Sequence, residues 1–264
     1  MNIGINGQNV QPLDLEGLDP FSPANADILR FPFSNDAGLD QRFAELQQFK
    51  AENPYTSSDA ALLIGNGSLL SLAGVLPETV YVTDYSISLL AWMNNQIAQL
   101  AQSEDRFSFT EWLYNALPAN RRSVLKPEFS DYEAHSFLRS DETYNTARAK
   151  ILGAQINFVH VNYADPRSVR RLGRAILDNG NGIRVANFTN VHARAFMSLG
   201  FEIEDHQEGV KTFLQALEDI PFTKPAAIIG SSSTLGGLEP LPLAPDLVTY
   251  KKVLLEDIKV PVSS

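Results

Sequence analysis

Ala60-Ala61-Leu62-Leu63-Ile64-Gly65-Asn66-Gly67-Ser68-Leu69-Leu70 decides the fold. Five apolar residues run without a charge and stop at Gly65. A short continuous apolar run marks a strand covered on both faces, the kind found in parallel sheets. Gly65-Asn66-Gly67 then turns the chain, and Leu69-Leu70 opens a helical pattern. Glycine admits positive φ and lets a ligand approach the backbone. The first turn of a helix adds N–H groups without intrahelical partners.

Four further runs repeat the pattern outward from this one. They are Val80 to Thr83, Ile156 to Val161, Ile183 to Ala186 and Ala226 to Ile229. Helical spacing fills the gaps: Ile87, Leu90, Met93, Ile97 and Leu100; then Val169, Leu172, Ile176 and Leu177; then Phe213, Leu214 and Leu217. Strands alternating with amphipathic helices predict an α/β fold, a doubly wound, mostly parallel sheet. From Asp84 to Asp165 the chain spans 81 positions. One crossover needs roughly 15–25 residues. The excess predicts a helical insertion between the second and third strands, at 103–150, rich in aromatics from Phe107 to Leu117 and read as a lid. Residues 1–56 read as an N-terminal arm, irregular over Met1 to Ala24, and a helix on Leu39, Phe43, Leu46 and Phe49. Residues 57–264 form the main domain, and Leu247 to Val260 is expected to supply one or two final strands.

Asp84 ends the second strand, nineteen positions after Gly65. A carboxylate there can accept hydrogen bonds from both hydroxyls of a ribose, at the sheet edge where parallel folds bind ligands. The same residue could instead cap the helix after Ser86, and Asp165, before Pro166, could cap the next one.

Leu63-Ile64-Gly65-Asn66-Gly67, followed by Tyr81-Val82-Thr83-Asp84-Tyr85, resembles the first two motifs of class I S-adenosylmethionine-dependent methyltransferases. The likeness extends through Asn162-Tyr163-Ala164-Asp165 to Val185-Ala186-Asn187-Phe188, and covers about Ser57 to Ser233. Leu69 stands at the family's third glycine position, and neither proline of an Asn-Pro-Pro-Tyr motif follows Asn187. The resemblance implies a Rossmann-like fold with S-adenosylmethionine as cofactor. It implies that Gly65, Asn66 and Gly67 receive the cofactor's amino-acid portion, Asp84 with Tyr85 the ribose region, and Asn162 or Asp165 the adenine. Asn187 and His192, after the fourth strand, would face the acceptor, a small molecule or a protein. Methyl transfer is the reaction implied. Aminocarboxypropyl transfer from the same cofactor, or a non-catalytic Rossmann-like interaction module, are the alternatives. A nicotinamide dinucleotide fingerprint would need glycine where Leu70 stands.

Composition bounds these readings. The 264 residues carry a net charge of -10, which opposes nucleic acid and anionic membranes as partners. Cysteine is absent, so there is no thiolate site or cysteine nucleophile. The four histidines, His135, His160, His192 and His206, lack metal-ligand spacing, and no metal is expected. His160, within an apolar strand, reads as a satisfied sheet residue. Arg167, Arg170, Arg171 and Arg174 form a basic helix face, and Arg121, Arg122 and Lys126 a basic cluster in the insertion; both read as solvated. Gly230 to Thr234 lacks the Gly-x-Ser-x-Gly of a hydrolase. Met1 to Pro23 has no basic segment leading into an apolar run, so a cytoplasmic protein is expected; export by a signal-independent route stays open.

Overall fold

The computed structural model describes residues 3–6, 9–15, 18–21, 38–65, 69–119, 137–189, 203–231 and 240–258. Five parallel strands form its centre: β3 (Asp59–Ile64), β4 (Thr79–Asp84), β5 (Gln155–Val161), β6 (Gly182–Asn187) and β7 (Phe222–Ile229). They coincide with the five apolar runs. Two N-terminal strands, β1 (Ile3–Asn6) and β2 (Asn9–Pro12), extend the sheet to seven in the order β2-β1-β5-β4-β3-β6-β7. β1 runs parallel to β5, and β2 runs antiparallel to β1. Here the expected irregular arm is corrected. Asn, Gly and Gln give this segment little strand propensity, and backbone pairing along the open edge of β5 supplies what propensity does not.

Helices cover both faces. On one face lie α1 (Leu39–Glu52), α2 (Leu69–Leu72), α3 (Ile87–Gln102), α4 (Arg106–Ala116) and α5 (Asp141–Gly153). On the other lie α6 (Pro166–Asp178), α7 (Ile203–Ala216) and α8 (Leu247–Asp257). Alternate residues of each strand serve the two layers: Ala61 and Leu63 face the first, Ala60 and Leu62 the second. α8 replaces the C-terminal strands expected over Leu247 to Val260. Val248, Thr249 and Val253 suggest a strand, but Tyr250 and Leu254 are buried at helical spacing. The Asp246 carboxylate caps the helix by accepting from the Thr249 amide at 2.7 Å.

The insertion contributes α4 and α5, with its basic cluster and the rest of 120–136 outside the described residues. α4 packs along α3, where Trp112 stacks on Trp92 at 5.6 Å between ring centroids. Phe109 is fully buried, with Phe137 at 5.8 Å and Tyr144 at 5.9 Å. The insertion's aromatics therefore form a core with α3 and α5. Phe107, on the outer side of α4, is exposed.

Candidate functional site

The two halves of the sheet wind in opposite directions from β3. β4 and β5 lie on one side of it, β6 and β7 on the other. In open sheets of this kind ligands bind at the carboxyl ends of the strands where the order reverses. Gly65 stands at that point. Its φ is +64°, a conformation that glycine adopts without penalty. Its amide donates to the Thr83 carbonyl at 2.9 Å, which ties the turn to the end of β4. A Cβ on Gly65 would lie 3.4 Å from Asp84 Oδ2. Glycine thus leaves the carboxylate an open flank.

Asp84 is half-buried at the last position of β4. Loss of water around it is the largest influence on its carboxyl and pushes it up to about 6, although the Ser86 and Tyr85 amides favour the charged form. The Ser86 amide donates to Oδ1 at 2.6 Å. The cap of α3 belongs to another residue: the Ser86 hydroxyl accepts from the Leu89 amide at 3.2 Å. Tyr85 turns outward with 68% of its surface exposed, an open aromatic face beside the carboxylate.

Asn162 and Asp165 follow β5 on the same edge. Asn162 is half-buried, and its Oδ1 accepts from the Ala164 amide at 2.9 Å. Asp165 caps α6 by accepting from the Arg167 amide at 3.0 Å. Asp165→Ala is therefore expected to cost about 1 kcal/mol of stability, and Asp165→Ser to recover most of it. Urea denaturation of the two variants checks this; equal loss in both would remove the cap role.

Asn187 ends β6, paired in register with Leu63 of β3. It is buried, and its Oδ1 accepts from the Thr189 amide at 2.9 Å and from the Thr189 hydroxyl. Those bonds fix the orientation of its carboxamide. The structure thus brings Gly65, Asp84, Tyr85, Asn162, Asp165 and Asn187 to one sheet edge. Asn66, Gly67 and His192 lie outside the described residues.

Two further side chains bear on this edge: Arg42, which the sequence did not single out, and His160, which read as a satisfied sheet residue. Arg42 is buried on α1 and donates to the Gly230 carbonyl at 3.1 Å and to the Leu241 carbonyl, with Glu45 at 2.8 Å as its ion-pair partner. It fixes the chain leaving β7. His160 is only half-buried; its ring faces the Tyr85 backbone instead of the core. On α6, Arg170 pairs with Asp219 at 3.3 Å and Arg167 and Arg174 are exposed, as a solvated face requires. Among the described residues no cluster of three or more His, Asp or Glu could hold a metal ion, and no helix is long and apolar enough to cross a membrane.

No protein-family model matches the chain, and no curated protein matches it in sequence. The Rossmann-like architecture is compatible with a nucleotide-type cofactor.

Proposed function

We propose that the protein is an S-adenosylmethionine-dependent transferase, and that the reaction is methyl transfer. The carrying observation is the half-buried Asp84 carboxylate lying against a positive-φ glycine at the switch point of the sheet. A ribose suits that carboxylate, because two vicinal hydroxyls can both donate to it. Gly65 leaves room for the backbone approach that the cofactor's amino-acid portion requires. The exposed Tyr85 ring offers a stacking face to a base, and Asn162 and Asp165 follow the neighbouring strand on the same edge.

A nicotinamide dinucleotide fits the turn less well, because Leu70 stands where that fingerprint places its third glycine.

When bound, S-adenosylmethionine supplies an electrophilic methyl group on its sulfonium. The protein's task is then alignment and exclusion of water. Asp84 holds the ribose and so sets the depth of the cofactor. Asn187, buried and with its oxygen held by Thr189, is assigned to the acceptor side from its place after the fourth strand. His192 is assigned the acceptor's proton, on sequence position alone.

Titration calorimetry with S-adenosylmethionine, S-adenosylhomocysteine and NAD in parallel tests the assignment. The first two are expected to bind and NAD to give no heat. NAD binding alone would replace the cofactor. Silence with all three would leave a non-catalytic Rossmann-like module.

A further inference from the structure

Both chain neighbours of Asp84 are tied to β5 and the loop after it. On one side, Thr83 Oγ1 donates to the Leu63 carbonyl at 3.1 Å and lies 2.7 Å from the Tyr163 hydroxyl. A hydroxyl has one hydrogen to give. Since Thr83 spends its hydrogen on a carbonyl, Tyr163 is the donor in the second bond. On the other side, His160 Nε2 lies 2.8 Å from the Tyr85 carbonyl oxygen. That oxygen only accepts, so Nε2 carries the proton.

These bonds lie where the sheet stops helping. The β4–β5 ladder runs from Thr79 opposite Gln155 to Asp84 opposite His160 and ends there. Beyond it, Tyr85 and Ser86 have left the ladder, and the strand end would be free to fray. Thr83 and Tyr163 are buried, which makes their mutual bond expensive to lose. Tyr163 also belongs to the Asn162–Asp165 segment, so its hydroxyl joins the segment assigned to adenine to the strand that carries the ribose acid.

We propose that His160 and Tyr163 are positioning residues of the nucleoside site: acting from β5, they fix the backbone on both sides of Asp84, so that its carboxylate meets a ligand already in place. The proposal rests on the reading of Asp84 as the ribose acid. Neither residue touches the reacting atoms; each acts through Asp84. Preorganisation of this kind improves affinity by removing the cost of ordering the site on binding.

The test compares variants that keep shape but lose the donor with variants that keep it. His160→Phe retains a ring without the donor, and His160→Gln returns an amide N–H at similar reach. Tyr163→Phe removes the other bond, and Thr83→Ser preserves it. The first readout needs no ligand: the titration of the Asp84 carboxyl followed by NMR, about 6 in the wild type. In His160→Phe and Tyr163→Phe the loosened turn admits water, and the midpoint is expected to fall toward the ordinary carboxylate range; His160→Gln and Thr83→Ser are expected to keep it. The second readout is calorimetry with S-adenosylmethionine, expected to weaken roughly 3- to 10-fold per lost bond and to recover in the conservative variants. A wild-type titration and wild-type affinity in folded His160→Phe would overturn the proposal. His160 is half-exposed, so this variant decides the matter even if Tyr163→Phe does not fold. If the wild type does not bind S-adenosylmethionine, the proposed function fails, and the titration still decides the positioning role.

Discussion

Asp84→Asn is expected to bind S-adenosylmethionine roughly 10- to 150-fold more weakly, and at pH 7 to unfold at a higher temperature than the wild type. The first effect is the loss of a charge-assisted hydrogen bond to ribose, about 1.5–3 kcal/mol. The second follows from where the carboxylate sits. Its pKa rises from 3.8 when unfolded to about 6 when folded. Between those values the folded state binds more protons, so stability falls as pH rises from about 4 to 6, and the penalty is complete above 6. The penalty is on the order of 1–3 kcal/mol. Asparagine carries no charge to desolvate, and its Oδ1 can still accept from the Ser86 amide. The wild type should therefore lose stability across that window while the variant does not. Cofactor affinity in the wild type should itself decline below about pH 6, as the carboxylate gains its proton. Thermal melts from pH 4 to 8, paired with calorimetry, measure both. A variant that loses affinity and stability together would make Asp84 a structural residue. Unchanged affinity would remove it from the site.

A partly desolvated carboxylate kept at the cost of stability fits the energetic pattern expected of a binding site. That also explains what the sequence could reveal. The central strands were legible because burial on both faces demands short, mainly apolar runs. The placement of Gly65 and Asp84 at the switch point was legible because each ends such a run. β1 and β2 were not, since their strand character comes from a partner edge more than 140 residues away along the chain. α8 was missed because β-branched residues hid a helical face whose cap, Asp246, is the clearer signal. The role of Arg42 was invisible for a different reason. Beyond Glu45 on its own helix, its partners are backbone carbonyls at Gly230 and Leu241, and a carbonyl leaves no mark on the sequence. His160 looked like a sheet residue because its strand is apolar; only the register, which sets it opposite Asp84 at the strand's end, gives it a task.

Gly173→Ala is expected to destabilise the fold by about 2 kcal/mol or more, against the usual sign of that substitution in a helix. Gly173 lies in the interior of α6, where alanine ordinarily gains up to about 1 kcal/mol. Here a Cβ would lie 1.9 Å from the Asp219 carbonyl oxygen and 2.9 Å from its carbon. Both are backbone atoms, so no rotamer change relieves the overlap. Overpacking in a close-packed interior costs about 1–3 kcal/mol and can exceed that, which outweighs the gain in propensity. The contact is one that the chain needs. Asp219 closes the 3-10 turn at Leu217–Asp219 that feeds β7, and its carboxylate holds Arg170 of the same helix at 3.3 Å. Pushing α6 outward would also shift its N-terminus at Asp165, next to the Asn162–Asp165 segment of the candidate site. Cofactor affinity should therefore fall with stability in this variant, unlike in Asp84→Asn. Gly153→Ala is the control: nothing lies within 4 Å of its Cβ position at the end of α5, and it should be neutral or slightly stabilising. Denaturant midpoints of the two alanine variants compare them directly. Wild-type stability in Gly173→Ala would mean that α6 does not sit against the 217–219 turn.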